Sequence, residues 1–96
     1  MSADFFSVRN YNERAVYEAV PRLAGQFPDL AHNPELLADV ACVALNRLPP
    51  RYIRHEVDFV FYRSHRERAE SERQLHDAVK FACGFVQARH AMKARG

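Results

Sequence analysis

Glycine is scarce in this chain, with three among 96 residues. There is no Gly-rich phosphate loop, no G-x-S-x-G and no H-E-x-x-H, so the usual signatures of nucleotide-phosphate binding, serine hydrolysis and zinc proteolysis are missing. Cysteine is scarcer still. Cys42 and Cys83 both fall on apolar helical stretches and make no close-spaced pair. An apolar face disfavours thiolate formation, and two reduced, buried thiols are expected rather than a disulfide. His55 and His65 are neither tightly spaced nor joined to a cysteine pair, so no zinc framework forms, and His32, His76 and His90 read as surface or edge residues. No run approaches the length of a membrane-spanning helix, and no charged start with an apolar core and cleavage site appears. These absences point to a cytoplasmic, membrane-free protein with no catalytic residue, no metal site and no cofactor.

What remains is the composition of an ordinary globular domain, 48% apolar and 27% charged, with no repeat or low-complexity tract. One domain over residues 1–96 is expected, with residues 1–8 as an arm whose Phe5 and Phe6 pack on the body or on a partner chain. The net charge of +2 is too small to announce nucleic acid as a partner. Its distribution is more informative. Residues 1–46 are acidic on balance, whereas residues 47–68 carry Arg47, Arg51, Arg54, Arg63, Arg66 and Arg68 against Glu56, Asp58 and Glu67. Every basic residue of that central stretch is Arg, whose planar fork suits phosphate and whose plane stacks on bases.

Periodicity predicts a mostly α fold, a small helical domain of three to four helices with one extended segment. The first helix is expected from about Tyr11 to Ala24, capped by Asn10 or Asn12 and favoured by Glu13 at its positive end. Val16, Ala19, Val20, Leu23 and Phe27 line one face, while Pro21 either kinks the helix or begins a second short one. Asp29 to His32 reads as a turn. The second helix has the clearest start, Asn33 as cap followed by Pro34 and Glu35, and runs to Leu48. The last begins near Arg66 or Glu72, because Ser64-His65-Arg66-Glu67 and Ser71-Glu72-Arg73-Gln74 both fit a capping box. It ends near Met92. Its stripe of Leu75, Ala78, Val79, Ala82, Cys83 and Val86 is widened by Phe81 and Phe85 beyond what a small core needs, and Gly84 on the polar side is a candidate point of close approach. The run Val57 to Tyr62 is β-branched and aromatic, so about 56–63 is expected to be extended. A lone strand is unstable in water. Pairing with the same strand of a second subunit, at a homodimer interface, is preferred over a loop that plugs Phe59 and Phe61 into the monomer core.

The chain is organised around residues 39–52, D-V-A-C-V-A-L-N-R-L-P-P-R-Y. Asp39 and Asn46 share one helical face, and Pro49 and Pro50 stop the helix, delivering Arg51 and Tyr52 to a fixed place beside its end. The string L-N-R-L-P-P-R-Y at 45–52, preceded by Asp39 and by N-Y-x-E at Asn10, Tyr11 and Glu13, resembles the ComFB family of late competence development proteins. The resemblance spans roughly residues 9 to 54. It implies a small bacterial cytoplasmic module, mostly helical and dimeric, that in several members is a receptor for cyclic dinucleotides. Some ComFB-like proteins carry extra cysteines that could bind zinc; this chain lacks them.

A cyclic dinucleotide presents two phosphates, two purine faces and two base edges. Guanidinium groups for phosphate, planar platforms and carboxylate or amide partners are the matching types. Arg47, Arg51 and Arg54 supply the first, Tyr52 beside Pro50 the second, and Asn46 an edge contact. Arg9, Asn10 and Tyr11 join through the resemblance, and Asp39 or Glu13 could meet a guanine edge. Plainer roles stand beside these: Asn46 as a local helix-end group, Asp39 as an acceptor for the N-Y segment, Tyr52 as packing, the arginines as a solvated face. The resulting expectation is a homodimer that binds cyclic di-GMP or cyclic di-AMP and relays it to a downstream protein. The rival is a competence or regulatory interaction factor with no small ligand, docking a partner through residues 57–62. A nucleic-acid binder using the 47–68 arginines is disfavoured by the acidic N-terminal half.

Overall fold

A computed structural model of the chain describes residues 2–55, 57 and 64–95. Its order is a 3-10 turn at Phe5–Ser7, β1 (Arg9–Asn10), α1 (Asn12–Ala24), α2 (Pro28–Ala31), α3 (Pro34–Arg47), β2 (Tyr52–Ile53) and α4 (His65–Arg95). The domain is the small, mostly helical one that the periodicity predicts.

The ends of the helices follow local chemistry. Asn33, in extended conformation, accepts the backbone N–H of Leu36 at 3.2 Å and so satisfies one orphan donor at the start of α3. At the other end Leu48 donates its N–H to the Ala44 carbonyl at 3.1 Å and is itself extended, the conformation that a residue before proline takes. The two candidate capping boxes for α4 resolve in favour of the first. Ser64 Oγ accepts the Glu67 N–H at 3.1 Å while Glu67 Oε2 accepts the Ser64 N–H at 3.3 Å, and Ser71 lies inside the helix.

Pro21 neither ends α1 nor starts another helix; one helix passes through it. It occupies an exposed position, where water can solvate the carbonyl that its missing N–H leaves unbonded. The Asp29–His32 turn is instead largely the helical turn α2, opened by Pro28 and anchored by Leu30, which is fully buried. Pro at the first helical position together with one deep side chain is enough to hold a single turn.

The core lies where α1, α3 and α4 meet, with Leu30 of α2 closing one end. Its fully buried members are small: Val16, Val40, Ala44, Val79, Ala82, Cys83 and their neighbours. From the stripe predicted on α4, Ala78, Val79, Ala82, Cys83 and Val86 are buried and Leu75 is half-buried. Phe27 packs half-buried against the core, but four other phenylalanines stay outside. Phe81 and Phe85 remain 44% and 46% exposed, and Phe5 and Phe6 do not pack on the body, being 76% and 100% exposed. A β-carbon added at Gly84 would meet nothing within 4 Å among the described residues, so this glycine marks no close approach to them.

Arg9 and Asn10 pair antiparallel with Ile53 and Tyr52. Two residues a side is too short to show period-two alternation, so hydropathy alone does not reveal this ladder. Of the segment expected to be extended at 56–63 only Val57 is described, and it is exposed and helical rather than extended; the other residues of that segment lie outside the described residues.

Candidate functional site

The corner where the first strand meets the second is held by one amide. Asn10 Oδ1 accepts the backbone N–H of Asn12 at 3.1 Å and that of Arg51 at 3.1 Å. Tyr11 donates its N–H to the Arg51 carbonyl at 2.6 Å, and Asn12 Nδ2 donates to the Pro49 carbonyl at 2.9 Å. The prolines remove donors from the 48–51 stretch, and the Pro49 carbonyl and both backbone groups of Arg51 are met by the N-Y-N segment about forty residues earlier. Asn10 therefore caps the first turn of α1 and anchors the proline exit at once. Of the two asparagines offered as caps, Asn10 does the capping and Asn12 ties the carbonyl of Pro49.

Arg9, Asn10 and Tyr11 are thereby brought beside Arg51, Tyr52 and Arg54. Tyr52 is 69% exposed, an open ring rather than a packed one. Arg54 Nε donates to Ser7 Oγ at 3.0 Å, which ties the N-terminal arm to the same corner. Pro50 is exposed at the turn between helix and strand. A cavity of about 530 Å³ opens beside the ladder, lined by Arg9, Asn10, Tyr11, Glu13, Arg14, Ala15, Tyr17, Glu18 and Ile53. Arginine donors, a carboxylate in Glu13 and tyrosine rings share that space, the set of groups that a phosphate-bearing, base-bearing ligand takes up.

Asp39, Asn46 and Arg47 lie elsewhere. Asp39 does not accept from the N-Y segment; its carboxylate sits 3.7 Å from Arg89 Nη2 on α4. The guanidinium of Arg47 stacks over Phe81, 3.8 Å from the ring centroid. Asn46 donates to the Cys42 carbonyl at 3.0 Å and approaches Cys42 Sγ at 3.7 Å, the local role that its position near a helix end allows. Asn46 also borders a second, apolar groove of about 620 Å³ between α1 and α3, with Tyr17, Val20, Pro21, Leu37, Ala41, Cys42 and Leu45 among its walls.

Tyr17 borders both cavities and is 55% exposed. The sequence reading passes over it, although a tyrosine off the apolar stripe of α1 and six positions beyond Tyr11 is a signal for a side chain with a wet end. Burial pushes the Cys83 thiol up from its ordinary value of 9.0, whereas Cys42 is exposed and is not the buried thiol expected. Among the described residues no three His, Cys, Asp or Glu side chains are grouped to hold a metal ion, and no helix is long and apolar enough to cross a membrane.

No curated protein and no solved structure matches the chain. The sequence profile of the late competence development protein ComFB family matches residues 9–90, which carries the likeness from the Asn10 corner through most of α4. The chain belongs to the ComFB family.

Proposed function

We propose that this protein is a non-catalytic cytoplasmic receptor that binds a cyclic dinucleotide, cyclic di-GMP or cyclic di-AMP, as a homodimer and relays its state to a partner protein. Family membership supports the coarser statement of a competence-related regulatory role. The observation that carries the finer reading is the pair of hydrogen bonds that Asn10 Oδ1 accepts from the Asn12 and Arg51 N–H groups. It fixes the R-N-Y and P-P-R-Y segments side by side, so Arg9, Arg51, Tyr52 and Arg54 are carried on adjoining stretches of backbone. Backbone rigidity there matters, because a ligand gains affinity when the groups it meets are already in place. A two-fold dimer also suits a ligand that is itself two-fold symmetric.

Calorimetric titration with both cyclic dinucleotides tests this. Saturable heat with one of them, weakened at least tenfold by Arg51→Ala, is the expected result; roughly 1.4 kcal/mol corresponds to that factor. Flat heats with both nucleotides remove the reading.

A further inference from the structure

The N-terminal arm meets the Asn10 corner through a relay of hydrogen bonds. Arg54 Nε donates to Ser7 Oγ at 3.0 Å, and Ser7 passes its own hydroxyl proton to the Asp4 carbonyl at 2.8 Å. The backbone is closed at the same point. The Ser7 N–H also goes to the Asp4 carbonyl, at 3.3 Å, and the Val8 N–H to the Phe5 carbonyl, at 3.1 Å. Ser7 is half-buried and Arg54 is exposed. The strand pair explains why they meet: Arg9 lies opposite Ile53, so residues just before the first strand neighbour those just after the second. Ser7 lies ahead of the stretch that the family profile matches, residues 9–90. The arm therefore adds a polar group to a corner whose other members fall inside that stretch.

We infer that Ser7 is a positioning residue for phosphate recognition: its hydroxyl holds the guanidinium of Arg54 so that the two terminal amino groups meet a ligand phosphate end-on. A hydroxyl has one proton to give. Asp4 takes it, so Ser7 turns a lone pair towards Arg54 and acts on it as an acceptor alone. Nε is then spent on Ser7, which closes the side-on contact through Nε and leaves the open end of the fork for an anion. An exposed arginine left to itself samples many rotamers and must be ordered when a ligand arrives. One that is already held loses less freedom on binding. The same bond adds little to the stability of the fold, because water takes up both groups when it opens. Its effect belongs to affinity. This inference rests on the proposed reading of the corner as a cyclic dinucleotide site and states how one of its arginines is set.

A double-mutant cycle on the full chain, titrated with cyclic di-GMP and with cyclic di-AMP, tests it. Ser7→Ala should weaken binding roughly threefold to tenfold, the cost of ordering one long side chain on binding. Ser7→Thr keeps the hydroxyl and should bind as the wild type does. Arg54→Ala should weaken binding too, and adding Ser7→Ala to it should change nothing further, because the two residues act as one unit. Thermal melting of Ser7→Ala should match that of the wild type, which separates lost positioning from lost fold. A readout without nucleotide stands beside these: hydrogen exchange at the Arg54 Nε–H, followed by heteronuclear NMR, should be faster in Ser7→Ala than in the wild type or Ser7→Thr. Unchanged affinity in Ser7→Ala or in Arg54→Ala, with the wild type binding, overturns the inference and leaves the receptor reading standing. So does a loss from Ser7→Ala that persists in full in the Arg54→Ala background, since Ser7 would then act by another route. Flat heats from the wild type with both nucleotides overturn the receptor reading, and this inference with it.

Discussion

The side-chain carbonyl of Asn10 accepts the backbone N–H of Arg51 at 3.1 Å, forty-one positions along the chain. One neutral amide thus joins the N-terminal strand to the exit of α3. Removing it leaves two backbone donors, those of Asn12 and Arg51, without their acceptor.

Asn10→Ala should therefore lower stability by about 1–3 kcal/mol, the usual effect of stranding part-buried donors. Asn10→Asp keeps the acceptor oxygen and should lose less. Urea unfolding of the two variants decides this, and equal losses would show that the bonds to Arg51 and Asn12 carry no weight.

The start of α3 offers an independent check. Asn33 caps Leu36 on a helix that runs into the core, so Asn33→Ala should destabilise by about 0.5–2 kcal/mol. Ser64→Ala removes a cap from an exposed first turn. It should act mainly on local fraying, read as faster amide exchange in the first turns of α4 with little change in the urea midpoint.

Leu30 is the largest fully buried side chain and anchors a helix of four residues. Its loss opens a hole that α2 cannot close without shifting. Leu30→Ala should lower stability by about 2–5 kcal/mol. A smaller change would mean that α2 collapses inward.

The two thiols should differ sharply. Cys42 is exposed and Cys83 is buried, so a disulfide reagent should titrate one thiol in the native protein and the second only after unfolding. Burial raises the Cys83 thiol above 9.0 in the folded state, so the unfolded chain loses that proton first as pH rises. The stability tied to the neutral thiol is complete below 9.0. It should then fall by about 1.4 kcal/mol per pH unit until the folded value is reached. Cys83→Ala should start less stable and lack that component of the alkaline slope, in urea titrations run from about pH 8 to 10, on either side of the ordinary thiol range.

Much of this was legible in the residues. The Asn33-Pro34-Glu35 start, the proline stop after Leu48 and the buried stripe of α4 all follow from local rules whose signals lie within a few positions. The strand pair did not declare itself, because two residues on each side carry no alternation and the ladder depends on Asn10 meeting Arg51 from far away. Pro21 misled in the other direction. A proline inside a helix argues for a break, but its exposed position makes continuation tolerable. At the site, the resemblance marked both halves of the Asn10 corner, yet matching residue types to the ligand grouped Asp39, Asn46 and Arg47 with it. Asp39 and Arg47 turn instead to α4, which only the packing of α4 on α3 determines, and Asn46 turns to Cys42 one turn back in its own helix. Of the segment expected to be extended at 56–63, only Val57 is described, and it is helical.

The small size of the interior side chains has a consequence for how the sequence can drift. Ala19, Ala24, Ala41, Ala44, Ala78 and Ala82 all lie in the core, so the side chains that α1, α3 and α4 contribute at those points are short. Except at Ala41, which borders the apolar groove, an extra methylene there is enclosed by packed neighbours and tends to push helices apart. Substitution inside this protein is therefore governed by bulk more than by polarity, and variation in side-chain volume is pushed to its outer surface.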